Sequence, residues 1–209
     1  MDERWRKPLR ELRFVVLDFE TTGLEPRRGD RACEVALVKV EGSEVRTIFK
    51  TLLNPGVPIP ADATSIHGIT DEMVAKKPTL EEVLPEILGH LEGAVLAAYN
   101  APFELGFIKV ALERTGLSLD IPCFDVLEVS KWLIPSMGYS LERVARALGL
   151  PFKRKELHRA EGDALLTARV LLELLERLER KGFENLDDVR RRLGRKAAFH
   201  FEVAKPRGA

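Results

Sequence analysis

Two carboxylates, Asp18 and Glu20, close the apolar stretch FVVLD (14–18) with one residue between them. Alternate side chains on an extended chain share a face, their origins roughly 6–7 Å apart. With 10 Asp and 23 Glu present, a bare Asp-x-Glu spacing arises by chance about once and carries no weight alone. Position carries it instead. A run this apolar belongs in the middle of a sheet, where two same-face carboxylates are unfavourable unless cations or strong donors compensate. The bland alternative is a pair of solvated acids at a strand end.

Asp163 stands in the first turn of the amphipathic stretch 162–182, five residues after His158. An acid there also complements the helix dipole, and a single His in a basic loop is ordinarily surface. Together they would set a proton acceptor beside a carboxylate ligand. Glu104, four residues after Asn100 at the start of the stretch 101–115, adds a fourth acid. An all-oxygen donor set favours Mg²⁺ or Mn²⁺ over zinc, and two such ions are suited to phosphodiester hydrolysis. Gly23, in the TTGL that follows the first pair, permits a close backbone approach to a ligand or an unusual turn.

The elements that must position these groups are legible in outline. LRFVVLD (12–18), EVALVKV (34–40) and VRTIFKTLL (45–53) read as a three-stranded meander. The proline-rich 54–70 reads as loop, and 79–91 as a helix whose Thr79 and Glu82 have capping-box spacing, with Pro85 straining its middle. AVLAAY (94–99) is a fourth strand. Asn100 then reads as a cap, and Pro102 suits the first turn of a helix over 101–115. PCFDVLEVSKWL (122–133) supplies a short fifth strand and a helix, and 140–150 a compact helix between Ser140 and Gly149. Strands first, then alternating strands and helices, indicate an α/β fold with a mixed five-stranded sheet flanked by helices. Beyond Gly182 the pattern weakens, dividing the chain into a domain of 1–182 and a basic extension of 183–209.

Composition narrows the setting. The 209 residues are 45% hydrophobic and 32% charged, the build of a soluble globular protein. No apolar run reaches the ~20 residues that span a bilayer, and the charged N-terminus lacks a signal-peptide core, so the cytoplasm is expected and a membrane is not. Lys plus Arg equals Asp plus Glu at 33 each, so bulk charge points to no partner, although KRKELHR (153–159) and the tail 190–207 are locally basic. Cys33 and Cys123 fall in expected strands without metal-type spacing and read as buried small hydrophobes. A chain without Gln, with three Asn and many charges, has the bias of a protein from a hot environment.

LDFETTGL, YNAPFE and HRAEGDALLT stand in the order of the three motifs of the DEDDh 3′–5′ exonucleases, with SIHGIT between the first two. The chain resembles that family over 14–180, and within it the proofreading epsilon subunits of bacterial DNA polymerase III. The resemblance implies a ribonuclease-H-like fold and two ions, Mg²⁺ or Mn²⁺, held by Asp18, Glu20, Glu104 and Asp163. His158 would be the general base, as an imidazole suits that role near neutrality. Thr22, Gly23 and Leu24 would line the terminal nucleotide, and His67 and Asn100 would hold substrate or the shape of the site. Substrates would be nucleic-acid 3′ ends, of single-stranded or frayed DNA, released as nucleoside 5′-monophosphates in proofreading or repair. RNA ends, in the manner of oligoribonuclease, are the alternative, and a non-catalytic polymerase-binding module is a remoter one. The extension would dock a polymerase catalytic subunit. The second motif departs from the family's His-Asn-Ala-x-Phe-Asp, with Tyr99 for the His and Glu104, one methylene longer, for the Asp.

Overall fold

The computed structural model describes residues 2–154 and 157–205. Lys155 and Glu156 of the basic cluster and residues 206–209 of the basic tail lie outside the described residues. Six strands form one sheet: β1 (Arg13–Thr21), β2 (Ala32–Glu41), β3 (Glu44–Leu52), β4 (Val95–Ala98), β5 (Leu119–Asp125) and β6 (Ala198–Val203). Their spatial order is β3-β2-β1-β4-β5-β6. β1, β4 and β5 run parallel, and β2, β3 and β6 pair antiparallel to their neighbours.

The sheet therefore has six strands where five were expected. The sixth comes from the supposed extension, whose high charge hid a period-two pattern. Phe199, Phe201 and Val203 pack on one core while His200 and Glu202 face outward. The helix before it, α8 (Leu186–Leu193), buries Leu186 and Val189 in the core, and its cap is Asn185, whose side chain accepts from Asp188 N–H.

β1 explains the layering. Phe14 and Val16 enter a core shared with α5 (Val126–Leu133), α6 (Leu141–Ala147), α7 (Ala160–Arg180) and α8. Val15, Leu17 and Phe19 enter the opposite core, under α3 (Leu80–Leu91) and α4 (Ala101–Thr115). Phe14 meets Phe124 edge to face at 5.9 Å, worth about 0.5–1.5 kcal/mol beyond simple burial. Continuing the alternation, Asp18 and Glu20 fall on the Phe14 side, toward α7.

α3 starts on the expected capping box of Thr79 and Glu82. Pro85 cannot donate to the Glu81 carbonyl, a loss the box and the buried Leu84 and Ile87 offset. The region 54–70 is not all loop. α1 (Ala61–His67) follows Pro60 and ends at left-handed Gly68, and α2 (Asp71–Val74) follows it. These turns are too short for the apolar repeat that reveals a longer helix, and a small cluster of Ile59, Ile69 and Val74 with Cys33, flanked by Leu52 and Ala63, anchors them. Both cysteines are buried and free in strands, as expected. Among the described residues, no helix is long and apolar enough to cross a membrane.

Candidate active site

The site forms where β4 stops. β4 pairs with β1 only at Phe14, Val15 and Val16, so the C-terminal half of β1 loses its parallel neighbour just before the acids. Chain departures to opposite sides of a sheet leave a crevice at the carboxyl ends of its parallel strands. On the other side, β1–β2 pairing slips between Glu20 and Thr21, a bulge of the kind that re-aims side chains at functional sites.

Into this crevice project Asp18 and Glu20 from β1 and Asp163 from the first turn of α7. One carboxylate oxygen of each lies within 4.8 Å of the others. Burial, then the neighbouring charges of Glu104, Asp163, Glu20 and Glu34, holds the Asp18 carboxyl well above the usual carboxylate range. Burial and the charges of Asp163 and Glu34 push Glu20 up to about 8, against an opposing pull from Arg159. Burial pushes Asp163 up to about 6, though the His158 backbone N–H it accepts favours its anion. Three half-buried acids that resist ionisation together are short of positive charge. Their oxygens are the donors that hard divalent ions prefer, so the residues fit Mg²⁺ or Mn²⁺.

Glu104, on α4 and 4% exposed, falls outside the 4.8 Å grouping of the other three acids, although its charge is near enough to raise Asp18. Its Oε2 accepts the Phe19 backbone N–H at 3.1 Å, leaving Oε1 as the oxygen it can offer. Burial raises its pKa well above normal, opposed by that hydrogen bond. His158 is exposed at the rim, with φ of 59° and its backbone N–H donated to Asp163 Oδ2 at 3.2 Å.

The five residues expected to hold substrate divide. Leu24 is 77% exposed and Asn100 is also open to solvent. Asn100 sits at the cap position of α4 with φ of 75°, but its side chain caps nothing. Asp125 does that work, accepting Ala101 N–H at 3.0 Å and also Glu128 N–H at the start of α5 at 2.9 Å. Thr22 and His67 are buried and spend their polar atoms internally. Thr22 Oγ1 accepts Arg31 N–H, while His67 Nδ1 accepts Ile69 N–H and its ring lies 3.8 Å from Cys33 Sγ. The close approach at Gly23 is to a side chain of the chain itself, because a Cβ there would overlap the Asp30 carboxylate. That carboxylate accepts Glu25 N–H at 2.8 Å and so folds the loop after β1. Tyr99 is tied by its hydroxyl, which donates to the Tyr139 carbonyl at 2.6 Å.

Sequence reasoning missed Asp125, Glu34 and Arg159. Glu34 is buried and takes both a guanidinium and a backbone N–H from the start of α7. An acid opening an otherwise apolar strand, with an Arg directly after the candidate base, was the available signal.

Fold and site together define a ribonuclease-H-like α/β protein with a carboxylate centre suited to hard ions. The chain belongs to the exonuclease family, whose sequence profile matches residues 15–171. It is 42% identical over 185 residues to a DNA polymerase III subunit epsilon-like protein of Rhodobacter capsulatus, covering 87% of this chain and 26% of that protein. Identity to the 3′-5′ exonuclease DinG of Bacillus subtilis is 36% over 181 residues, covering 86% of this chain and 19% of that protein. The chain thus spans a minor part of each of these curated relatives. A solved structure of exonuclease X in complex with 5′ overhanging duplex DNA matches with a TM-score of 0.62 at 27% identity, covering 81% of this chain and 93% of that one.

Proposed function

We propose that this chain removes nucleotides from the 3′ end of DNA, hydrolysing one phosphodiester at a time to a nucleoside 5′-monophosphate. The observation that carries the reading is the convergence of Asp18, Glu20 and Asp163 within 4.8 Å beside the exposed His158. Asp18, Glu20, Asp163 and Glu104 Oε1 would hold two divalent ions, Mg²⁺ or Mn²⁺. Such ions supply Lewis-acid charge at a phosphate and lower the pKa of water.

The protein's own groups do the rest. His158 accepts the proton of the attacking water, and its rim position lets that proton leave to solvent. Glu104, rooted on the Phe19 N–H, fixes the α4 wall of the crevice. Leu24 presents its apolar side chain to the terminal base, and Asn100 offers its amide to the strand. Thr22 holds the loop that carries Leu24 through the Arg31 N–H, and His67 holds the turn after α1 through the Ile69 N–H. The names of the relatives support DNA as substrate and a polymerase as partner. Docking would use the exposed arginines around α8, and its test is loss of polymerase co-purification in Arg191→Glu/Arg195→Glu. Deletion from Gly182 would instead remove core residues.

The test is release of nucleoside 5′-monophosphates from 5′-labelled single-stranded DNA and matched RNA, with Mg²⁺, Mn²⁺ or EDTA. Stepwise shortening from the 3′ end, lost in EDTA and in Asp18→Ala and His158→Ala, is expected. Shortening from the 5′ end, or full activity in either variant, refutes the assignment. Faster turnover of RNA refutes the choice of DNA.

A further inference from the structure

Glu34 stands opposite Glu20 in the β1–β2 ladder and is 8% exposed. A buried carboxylate facing another is strongly unfavourable unless paired. Its oxygens are both engaged. Oε1 accepts Arg159 Nη2 at 2.5 Å, and Oε2 accepts Arg159 Nε at 2.9 Å and the Ala160 backbone N–H at 3.0 Å. A two-point guanidinium–carboxylate pair fixes direction as well as charge. The engagement of both oxygens sets Glu34 apart from the acids that face the crevice.

The two residues it grips directly follow His158. A residue with a Cβ avoids the left-handed region that His158 occupies, and stays there only where its surroundings over-determine it. On one side, Asp163 Oδ2 binds the His158 backbone N–H. On the other, Glu34 binds Arg159 and Ala160. The strained residue is clamped from both directions, and the clamp shares its sheet position with Glu20.

We propose that Glu34, acting through Arg159 and the Ala160 N–H, is a positioning residue that holds His158 left-handed and so aims its imidazole at the carboxylate crevice. This rests on the reading of His158 as the base. Arg159 has two duties, neutralising Glu34 and transmitting its position along one peptide unit. Asp18 and Glu20 on β1 and the base before α7 are thereby referenced to one point of the sheet.

The test uses the full chain with Glu34→Ala, Glu34→Gln and Arg159→Ala. Glu34→Ala is expected to lower kcat by about 10–100-fold, the range for groups that orient an active residue, while KM for a single-stranded oligonucleotide stays within roughly twofold. Glu34→Gln keeps one carbonyl acceptor and recovers part of the loss. In a His158→Ala background, Glu34→Ala adds little, because both act through the same imidazole. Amide hydrogen exchange over 157–163 speeds up in Glu34→Ala and Arg159→Ala, while exchange over 80–91 does not. If Glu34→Ala does not fold, Glu34→Gln carries the same exchange comparison at smaller amplitude. Additive rate losses with His158→Ala, or unchanged exchange over 157–163, overturn the inference. A wild type that releases no nucleotide overturns the functional reading instead, and the exchange result still decides the role of Glu34.

Discussion

Removing one charge from the crevice makes the metal-free protein more stable. Glu20 is the clearest case, its carboxyl pushed to about 8 by burial and then by Asp163 and Glu34. In the unfolded chain it titrates at its ordinary 4.5. Between those values the folded state binds more protons, so its stability falls as pH rises through that window. At about 1.4 kcal/mol per pH unit the ceiling is about 5 kcal/mol by pH 8. Partial exposure and a repulsion shared with Asp163 reduce the share of Glu20 to roughly 2–4 kcal/mol. Glu20→Gln keeps the shape and drops the charge, so in EDTA at pH 8 its Tm rises by roughly 5–15 °C. At pH 4.5, where the folded wild type already carries the proton, the two proteins melt nearly together. Manganese narrows the gap at pH 8, since a hundredfold excess over Kd adds about 2.7 kcal/mol to a protein that binds it, and the variant lacks a ligand. Calorimetric melts at both pH values, with EDTA and with Mn²⁺, measure all of this. Equal melting in EDTA at pH 8, or the same gain at pH 4.5, would refute the reasoning.

Other outcomes are as definite. Asp125→Ala removes the acceptor for two helix starts at a fully buried position and costs about 1–3 kcal/mol in urea denaturation. Leu24→Ala, at an exposed side chain, leaves Tm unchanged within about 1 °C while raising KM for oligonucleotides a few-fold; an unchanged KM would remove Leu24 from the substrate surface. Thr167 lies buried in α7 with its hydroxyl unpaired among the described residues. Thr167→Val is therefore neutral or stabilising by up to about 1 kcal/mol, and a loss above that would mean the hydroxyl has a partner such as buried water.

The meander, the capped α3 and the helix 101–115 were legible because each combines a clear apolar period with end signals. Residues 198–203 were not, since alternation over six residues is weak against a charged background and becomes visible only when β5 offers an open edge. Asp18, Glu20 and Asp163 could be grouped from sequence because each lies at the end of a strongly patterned element. The roles of Thr22, His67 and Asn100 were not legible, since residue type does not say which way a polar atom points once the chain turns. Asn100 has the residue type of a cap and sits at the cap position, yet its left-handed backbone turns the side chain outward and Asp125 takes over. Glu34 escaped notice because its significance lies in a contact across 126 residues, to Ala160.

The early end of β4 has a further meaning for the unusual Glu104. Where a longer strand would have offered a carbonyl to Phe19, the side chain of Glu104 fills the missing rung. The acid is thereby indexed to the backbone ladder, and not merely to its packing neighbours. A reach of one extra methylene suits a carboxylate that must stand in for main chain with one oxygen and still leave the other to the site. Length at this position is thus a consequence of where the sheet stops, and a shorter acid here calls for a wall that stands closer.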